Sequence, residues 1–174
     1  MSISRPRVVS GCFVTIMAVF AACSTAAAVE VPPLVQAINA VGPKGAGHPA
    51  AMAALQQLGQ ADAAQIPEIL AGMNGANRLS ANWLRAAVEA IAQRELDGGG
   101  RLPQTELEAF LADGTHAPQA RSLAYDLILR IDPTAQPRLV PGLLQDSSME
   151  LRRDGVAFDD ALAARQRFAL PRVD

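Results

Sequence analysis

Apolar and polar positions along the chain fall into a recurring unit. Val31-Pro32-Pro33-Leu34-Val35 is echoed by Ile66-Pro67-Glu68-Ile69-Leu70. It recurs more loosely as Leu107-Glu108-Ala109-Phe110-Leu111, and again as Val140-Pro141-Gly142-Leu143-Leu144. The echoes start 35, 41 and 33 residues apart, and each is followed by a second apolar segment of helical period. No segment beyond residue 30 alternates convincingly at period two, as a half-buried strand would. The pattern predicts an all-α chain. A recurrence at this interval predicts an α–α superhelix, a solenoid of about four antiparallel helix hairpins.

The first hairpin is predicted as a short helix over about 33–41, stopped by Gly42-Pro43, and a second over about 49–58. Met52, Leu55 and Leu58 would share one face of the second helix. In the next hairpin a helix runs over about 67–73 to the turn pair Asn74-Gly75. Its partner covers about 80–96, with Ser80 as N-cap. Leu84, Ala87, Val88, Ile91 and Leu96 would be buried there, and Arg85 and Glu89 are spaced for an i,i+4 pair outside. Gly98-Gly99-Gly100 is expected to be a long turn rather than a hinge, since two hairpins alone bury too little to be separate domains. The third hairpin opens at Pro103, turns inward with Leu107, Phe110 and Leu111, and ends its first helix at Asp113-Gly114. Its second helix, about 118–131, places Leu123, Ala124, Leu127, Ile128 and Ile131 on one stripe. Arg121, Ser122, Asp126 and Arg130 fall outside that stripe. The last hairpin has a helix over about 138–145 containing Pro141, a turn at Asp146-Ser147-Ser148 and a helix with Leu151, Gly155, Phe158 and Leu162 in register. Residues 169–174 are expected to be a frayed tail.

Ahead of this array lies a segment of different character. Arg5 and Arg7 precede a mostly apolar run over 8–22, and Ala26 and Ala28 then occupy the −3 and −1 positions of an A-x-A cleavage site. That order predicts a secretory signal peptide, residues 1–28. The apolar run is about 15 residues, short of the roughly 20 a membrane-spanning helix needs. A competing reading is a lipoprotein signal over 1–22: Phe20-Ala21-Ala22-Cys23 resembles a bacterial lipobox, with Phe where Leu is usual and Cys23 as the lipidated residue. Either reading sends the chain outside the cytoplasm, to the periplasm or medium. The only cysteines are Cys12 and Cys23. Cleavage after Ala28 leaves no thiol, and so no disulfide, cysteine-ligated zinc or cysteine nucleophile.

Composition narrows the partner. Formal net charge is −2, and residues 1–28 hold two arginines and no acid, so the remainder is more acidic still. Lys44 is the sole lysine and no basic run exists, which argues against a nucleic-acid surface. Aromatics make up 4% of the chain. The apolar content is largely Ala and Leu, which suits closely packed helices.

Within 139–164, an apolar helix with an internal proline leads to Leu-Leu-x-Asp, a short polar turn and Glu-Leu-Arg-Arg before small and apolar residues. Pro141, Leu143, Leu144, Asp146, Leu151, Arg152 or Arg153, Ala157 and Leu162 carry this pattern, which resembles the HEAT repeat. It is also similar to the HEAT-like repeats of phycobilisome lyases. Leu111, Asp113, Arg121 and Ala124 carry it more weakly. The second hairpin lacks an Asp after Leu70 and places Arg85 late, and the first keeps only proline and apolar spacing. The resemblance covers about 31–165. It implies a right-handed stack of helix pairs, a scaffold for other macromolecules and no enzymatic activity. It further implies a structural polar ladder between repeats, here Asp146 with Arg152 or Arg153, and Asp113 with Arg121.

Candidate chemistry is thin. His48 and His116 are the only histidines, too few for a closed zinc site, and a regular stack would hold them on the order of 20 Å apart. Gly42-Pro43-Lys44-Gly45-Ala46-Gly47 lacks the Gly-Lys-Ser/Thr ending of a phosphate loop. Glu150, Asp154, Asp159 and Asp160 have no EF-hand spacing. Ser147-Ser148 has no neighbouring histidine, and no nucleophile elbow is present. Trp83 and Tyr125 flank the core stripes and could anchor a partner; the alternative is packing against the next hairpin. The expectation is therefore an exported HEAT-like repeat domain over 29–168, without cofactor, metal or catalytic residues. Its role would be to bind an unidentified protein partner, not nucleic acid, and not a membrane unless lipidated at Cys23. The alternatives are an envelope lipoprotein supporting assembly, or a helical domain with a small-ligand or enzymatic pocket.

Overall fold

A computed structural model describes residues 29–169, with side-chain surroundings through residue 161. These residues form eight α-helices: α1 (Val31–Asn39), α2 (His48–Leu58), α3 (Ile66–Ala71), α4 (Arg78–Asp97), α5 (Gln104–Ala112), α6 (Pro118–Ile131), α7 (Gln136–Leu143) and α8 (Met149–Ala169). Short 3₁₀ turns at Pro43–Gly45, Ala63–Gln65 and Pro133–Ala135 lead towards α2, α3 and α7. No strand is found among the described residues. The signal segment and Cys23 lie outside the described residues, as do the side chain of Leu162 and residues 170–174.

Two local devices start these helices. Proline occupies the first turn of α1, α2, α3, α6 and α7, where its missing N–H leaves no hydrogen bond unmade. Asp or Asn then turns the chain by accepting the N–H two residues on. Asp62 binds Ala64 N, Asn77 binds Leu79 N, Asp113 binds Thr115 N, Asp132 binds Thr134 N and Asp146 binds Ser148 N, all at 2.8–3.0 Å. Asp62 and Gln65 add a reciprocal capping box. Asn77, not Ser80, caps α4, because its Oδ1 also reaches Ser80 N at 3.0 Å. Ser80 lies one turn in, fully buried, and donates its hydroxyl to Ile38 O at 2.9 Å.

The core runs through every helix. Leu58, Ile66, Ile69, Leu70, Leu84, Ile91, Leu107, Leu127 and Ile128 are among its fully buried side chains. α1 packs on α2, α3 on α4, α5 on α6 and α7 on α8. Contacts then pass to the helix two or three along: α1 to α3 and α4, α2 to α4, α3 to α5 and α6, α4 to α6, and α6 to α8. Small residues let backbones approach. In α2 the buried face is Ala51, Ala54 and Leu58, whereas Met52 is 38% exposed. Of the expected stripe, Leu58 is buried and Leu55 half-buried, but the face is rotated from Met52 towards Ala51 and Ala54. A Cβ added at Gly72 would come within 2.5 Å of Val35 Cγ1, so α3 and α1 meet across a missing methyl group. Gly155 likewise brings α8 against Leu143 and Leu144 of the α7 end.

Candidate functional site

The most buried ion pair among the described residues joins α6 to the turn between α7 and α8. Arg121 is 3% exposed, although its sequence position lies outside the apolar stripe of α6. Its Nη1 and Nη2 donate to Asp146 Oδ1 and Oδ2 at 3.0 and 2.5 Å, a bidentate fork, and its Nε donates to Leu111 O at 2.8 Å. Arg121 holds the Asp146 carboxyl below its ordinary value, and the Ser148 N–H adds to the effect. Arg152 donates to the Asp146 backbone carbonyl at 2.7 Å rather than to its carboxylate. Arg153 is exposed. Arg121 is thus taken by Asp146 of the following turn. Asp113 binds Thr115 N and Oγ1, which lower its carboxyl, and lies 3.6 Å from His116 Nε2. Asp113 is taken by Thr115, so the Arg121 fork goes to Asp146 and only its Nε turns back, to Leu111 O.

Earlier junctions place side-chain amides and one guanidinium on backbone groups. Asn39 donates to Gly72 O at 2.9 Å and Asn77 to Val41 O at 3.2 Å. Arg94 reaches Gly59 O and Ala61 O. Between α3 and α6, Asn74 Oδ1 accepts the Ala117 N–H at 2.8 Å, and its Nδ2 lies 3.0 Å from His116 Nδ1. The His116 ring stacks on Phe110 at 3.9 Å. Three more exposed ion pairs follow: Arg138 forks onto Glu108, lowering its carboxyl, and Arg85 bridges Glu89 and Asp126.

The two aromatic candidates separate. Trp83 is half-buried and meets the exposed His48 ring edge-on, with centroids 5.2 Å apart. Tyr125 is only 4% exposed, so it offers no aromatic flank to a partner; α8 and the 3₁₀ turn at Pro133–Ala135 pack against α6. Its hydroxyl is buried without a hydrogen-bond partner. Burial raises the phenol above its ordinary value. Gln136 acts in the opposite direction, while the charges of Asp154 and Asp126 add to the rise. Tyr125 lines a cavity of about 410 Å³ with Asp126, Gln136, Asp154, Ala157 and Phe158. Sequence reasoning did not find this site. Asp126 and Asp154 belong to different helices, and nothing in their spacing brings them together.

Gly42 N donates to Ala46 O at 2.9 Å, which removes that N–H from any phosphate cradle in the glycine-rich loop. No cluster of three or more His, Cys, Asp or Glu suited to a metal occurs among the described residues. No helix among them is long and apolar enough to cross a membrane. Ser148 is buried and starts α8, its carbonyl accepting the Arg152 N–H at 3.1 Å. Comparison with protein-family models, with characterised proteins and with solved structures finds no match for this chain.

Proposed function

We propose that the chain is an exported, non-enzymatic helical-repeat scaffold that binds another protein. In this reading residues 29–168 form a HEAT-like α-solenoid of four antiparallel hairpins behind a cleaved signal peptide. The observation that carries it is the order of packing. Each helix pair meets the next along the chain, and substantial contacts join helices no more than three apart. Such a stack spreads its core along the chain and exposes its successive helices as one extended surface, the feature repeat proteins use to hold partners. The Arg121–Asp146 fork then acts as a rung between the last two hairpins, and the asparagine contacts take its place earlier in the stack. Affinity capture from the envelope fraction with residues 29–174 tests the reading. The expected result is a protein retained by this chain and released by surface substitutions on one helix set. Retention no greater than on a blank matrix would refute it.

A lipoprotein with a structural role in the envelope is the second reading, favoured by Phe20-Ala21-Ala22-Cys23. Intact-mass analysis separates the two. A start at Val29 supports the soluble form, and a lipid-bearing start at Cys23 supports the anchored one.

A further inference from the structure

α2 and α4 run side by side in the same direction. Ser80 donates to Ile38 O and Asn77 to Val41 O, so the start of α4 lies beside the chain that enters α2. Arg94 reaches Gly59 O and Ala61 O, so the far end of α4 lies beside the chain that leaves α2. His48 and Met52 are one turn apart on α2, as are Leu79 and Trp83 on α4, so each pair shares a face of its helix. The His48 and Trp83 rings meet edge-on, with centroids 5.2 Å apart, which joins the two faces into one surface. Met52 is 38% and Leu79 45% exposed, two of the four large apolar side chains that stand exposed among the described residues. Trp83 packs against the core and stays half open to solvent.

The second observation is the charge around this surface. The chain as a whole is acidic, with 15 Lys and Arg against 17 Asp and Glu. Residues 31–61 and 69–88, which include the α1–α2 loop, α2 and the first half of α4, nevertheless hold no acid. Their cations are Lys44, Arg78 and Arg85. Arg85 is taken by Glu89 and Asp126, whereas Lys44 and Arg78 are exposed and make no ion pair among the described residues. Arg78 adjoins Leu79. Lys44 follows Val41, whose carbonyl holds Asn77, so both cations sit at the same end of the patch. Lys44 is also the one non-glycine residue with positive φ, 57°, among the described residues. Its side chain is held where glycine would fit at lower cost, and strain of this kind gathers at functional positions.

We propose that the scaffold takes its protein partner on this α2–α4 face, and that the partner presents an acidic segment carrying apolar side chains. The apolar groups pack on Trp83, Met52 and Leu79, and the carboxylates face Lys44 and Arg78. The proposal rests on the scaffold reading and gives the chemistry of its partner. Trp, Met and Arg are the side chains in which the centres of protein interfaces are enriched. Cations without partners beside an apolar centre attract an acidic segment and repel a basic one, which sets specificity. A phospholipid surface is bound by clusters of about four or more Lys and Arg, and two do not make such a cluster. Nucleic acid calls for clustered basic residues in the same way.

Trp83 is the single tryptophan, so its fluorescence reports on this surface, and amide NMR shifts show where a ligand sits. The probes are synthetic peptides of equal length with the same leucine positions, their polar positions all Glu, all Gln or all Lys, together with vesicles one-third phosphatidylglycerol. The expected result with the exported chain is saturable binding of the Glu peptide at millimolar concentration, with shifts confined to the α1–α2 loop, α2 and the start of α4. The Gln peptide should bind about tenfold more weakly, and the Lys peptide more weakly again. Lys44→Glu combined with Arg78→Glu should reverse that order in a chain that keeps the native circular dichroism. Lys44→Gly should keep or raise the unfolding midpoint while weakening the Glu peptide. The proposal is overturned if the Glu peptide does not saturate, if the Gln or Lys peptide binds equally well, if the shifts centre elsewhere, or if the double reversal leaves the order unchanged. It is also overturned if vesicles perturb Trp83 where the peptides do not, or if Trp83 emission changes with protein concentration alone, which would put a second copy on the patch. Affinity capture separates this surface from the scaffold reading. A partner held equally by the wild type and the doubly reversed chain overturns the surface and leaves the scaffold, whereas capture of nothing by the wild type refutes the scaffold itself.

Discussion

Replacing Arg121 with Met keeps most of the apolar stem and removes the guanidinium. Three hydrogen bonds disappear, two to Asp146 and one to Leu111 O. Asp146, whose side chain is 10% exposed, then keeps the Ser148 N–H as its one hydrogen-bond donor, with the Arg152 charge nearby. Breaking a buried pair from one side typically costs about 3–5 kcal/mol, far more than the pair contributes relative to an apolar replacement. Arg121→Met should therefore destabilise by about 3 kcal/mol or more. Adding Asp146→Asn removes the orphaned charge and should recover part of the loss, with a coupling of about 1–3 kcal/mol. Urea unfolding followed by far-ultraviolet circular dichroism gives both values. Protonation supplies a second reading of the same contact. Arg121 depresses the Asp146 carboxyl in the folded state below its unfolded value, about 3.9. That stabilisation is complete above the unfolded value and is lost as pH falls through the folded one. Asp146→Asn should therefore lose less stability than the wild type on acidification from about pH 5 to pH 3. A cost below about 1 kcal/mol for Arg121→Met, or strictly additive single and double variants, would refute the reasoning.

Three smaller perturbations test other joints. Gly72→Ala should destabilise by about 1–3 kcal/mol through overlap with Val35, and Val35→Ala in the same chain should restore part of it, read as midpoint shifts in urea. Asn77→Ala removes the α4 cap and the bond to Val41 O and should cost about 1–2 kcal/mol, with hydrogen exchange faster first at Leu79 and Ser80. Asn74→Ala frees the Ala117 N–H at the exposed start of α6, for about 1 kcal/mol in thermal unfolding.

Helix existence and the apolar faces were largely legible, because period and proline placement are local signals. Helices expected over about 118–131 and 103–113 match α6 and α5, and Leu107, Phe110, Leu111, Leu123, Leu127 and Ile128 are buried as their spacing demands. What misled was partnership. Ser80 resembles an N-cap from its neighbours alone, yet its hydroxyl is claimed by Ile38 O, 42 residues earlier. Met52 is the larger apolar group, yet Ala51 and Ala54 lie inside with Leu58 while α2 packs on α1. Arg121 sits off the apolar stripe and is nonetheless buried, because Asp146, in the α7–α8 turn, neutralises it there. The cavity around Tyr125 has the same cause. Asp126, Gln136 and Asp154 meet only once α6, α7 and α8 have packed, and no spacing in the sequence encodes that meeting.

The central claim is that each helix pair finds its apolar partner in the next pair along. Methyl–methyl nuclear Overhauser contacts in the labelled chain test it most directly. The account predicts contacts from Ile38 and Leu58 to the Ile66, Leu70 and Leu84 region, and from Leu127 and Ile128 to Leu143 and Leu151. Contacts of Ile38 or Leu58 with Leu143 or Leu151 would place the first and last pairs against each other and contradict it.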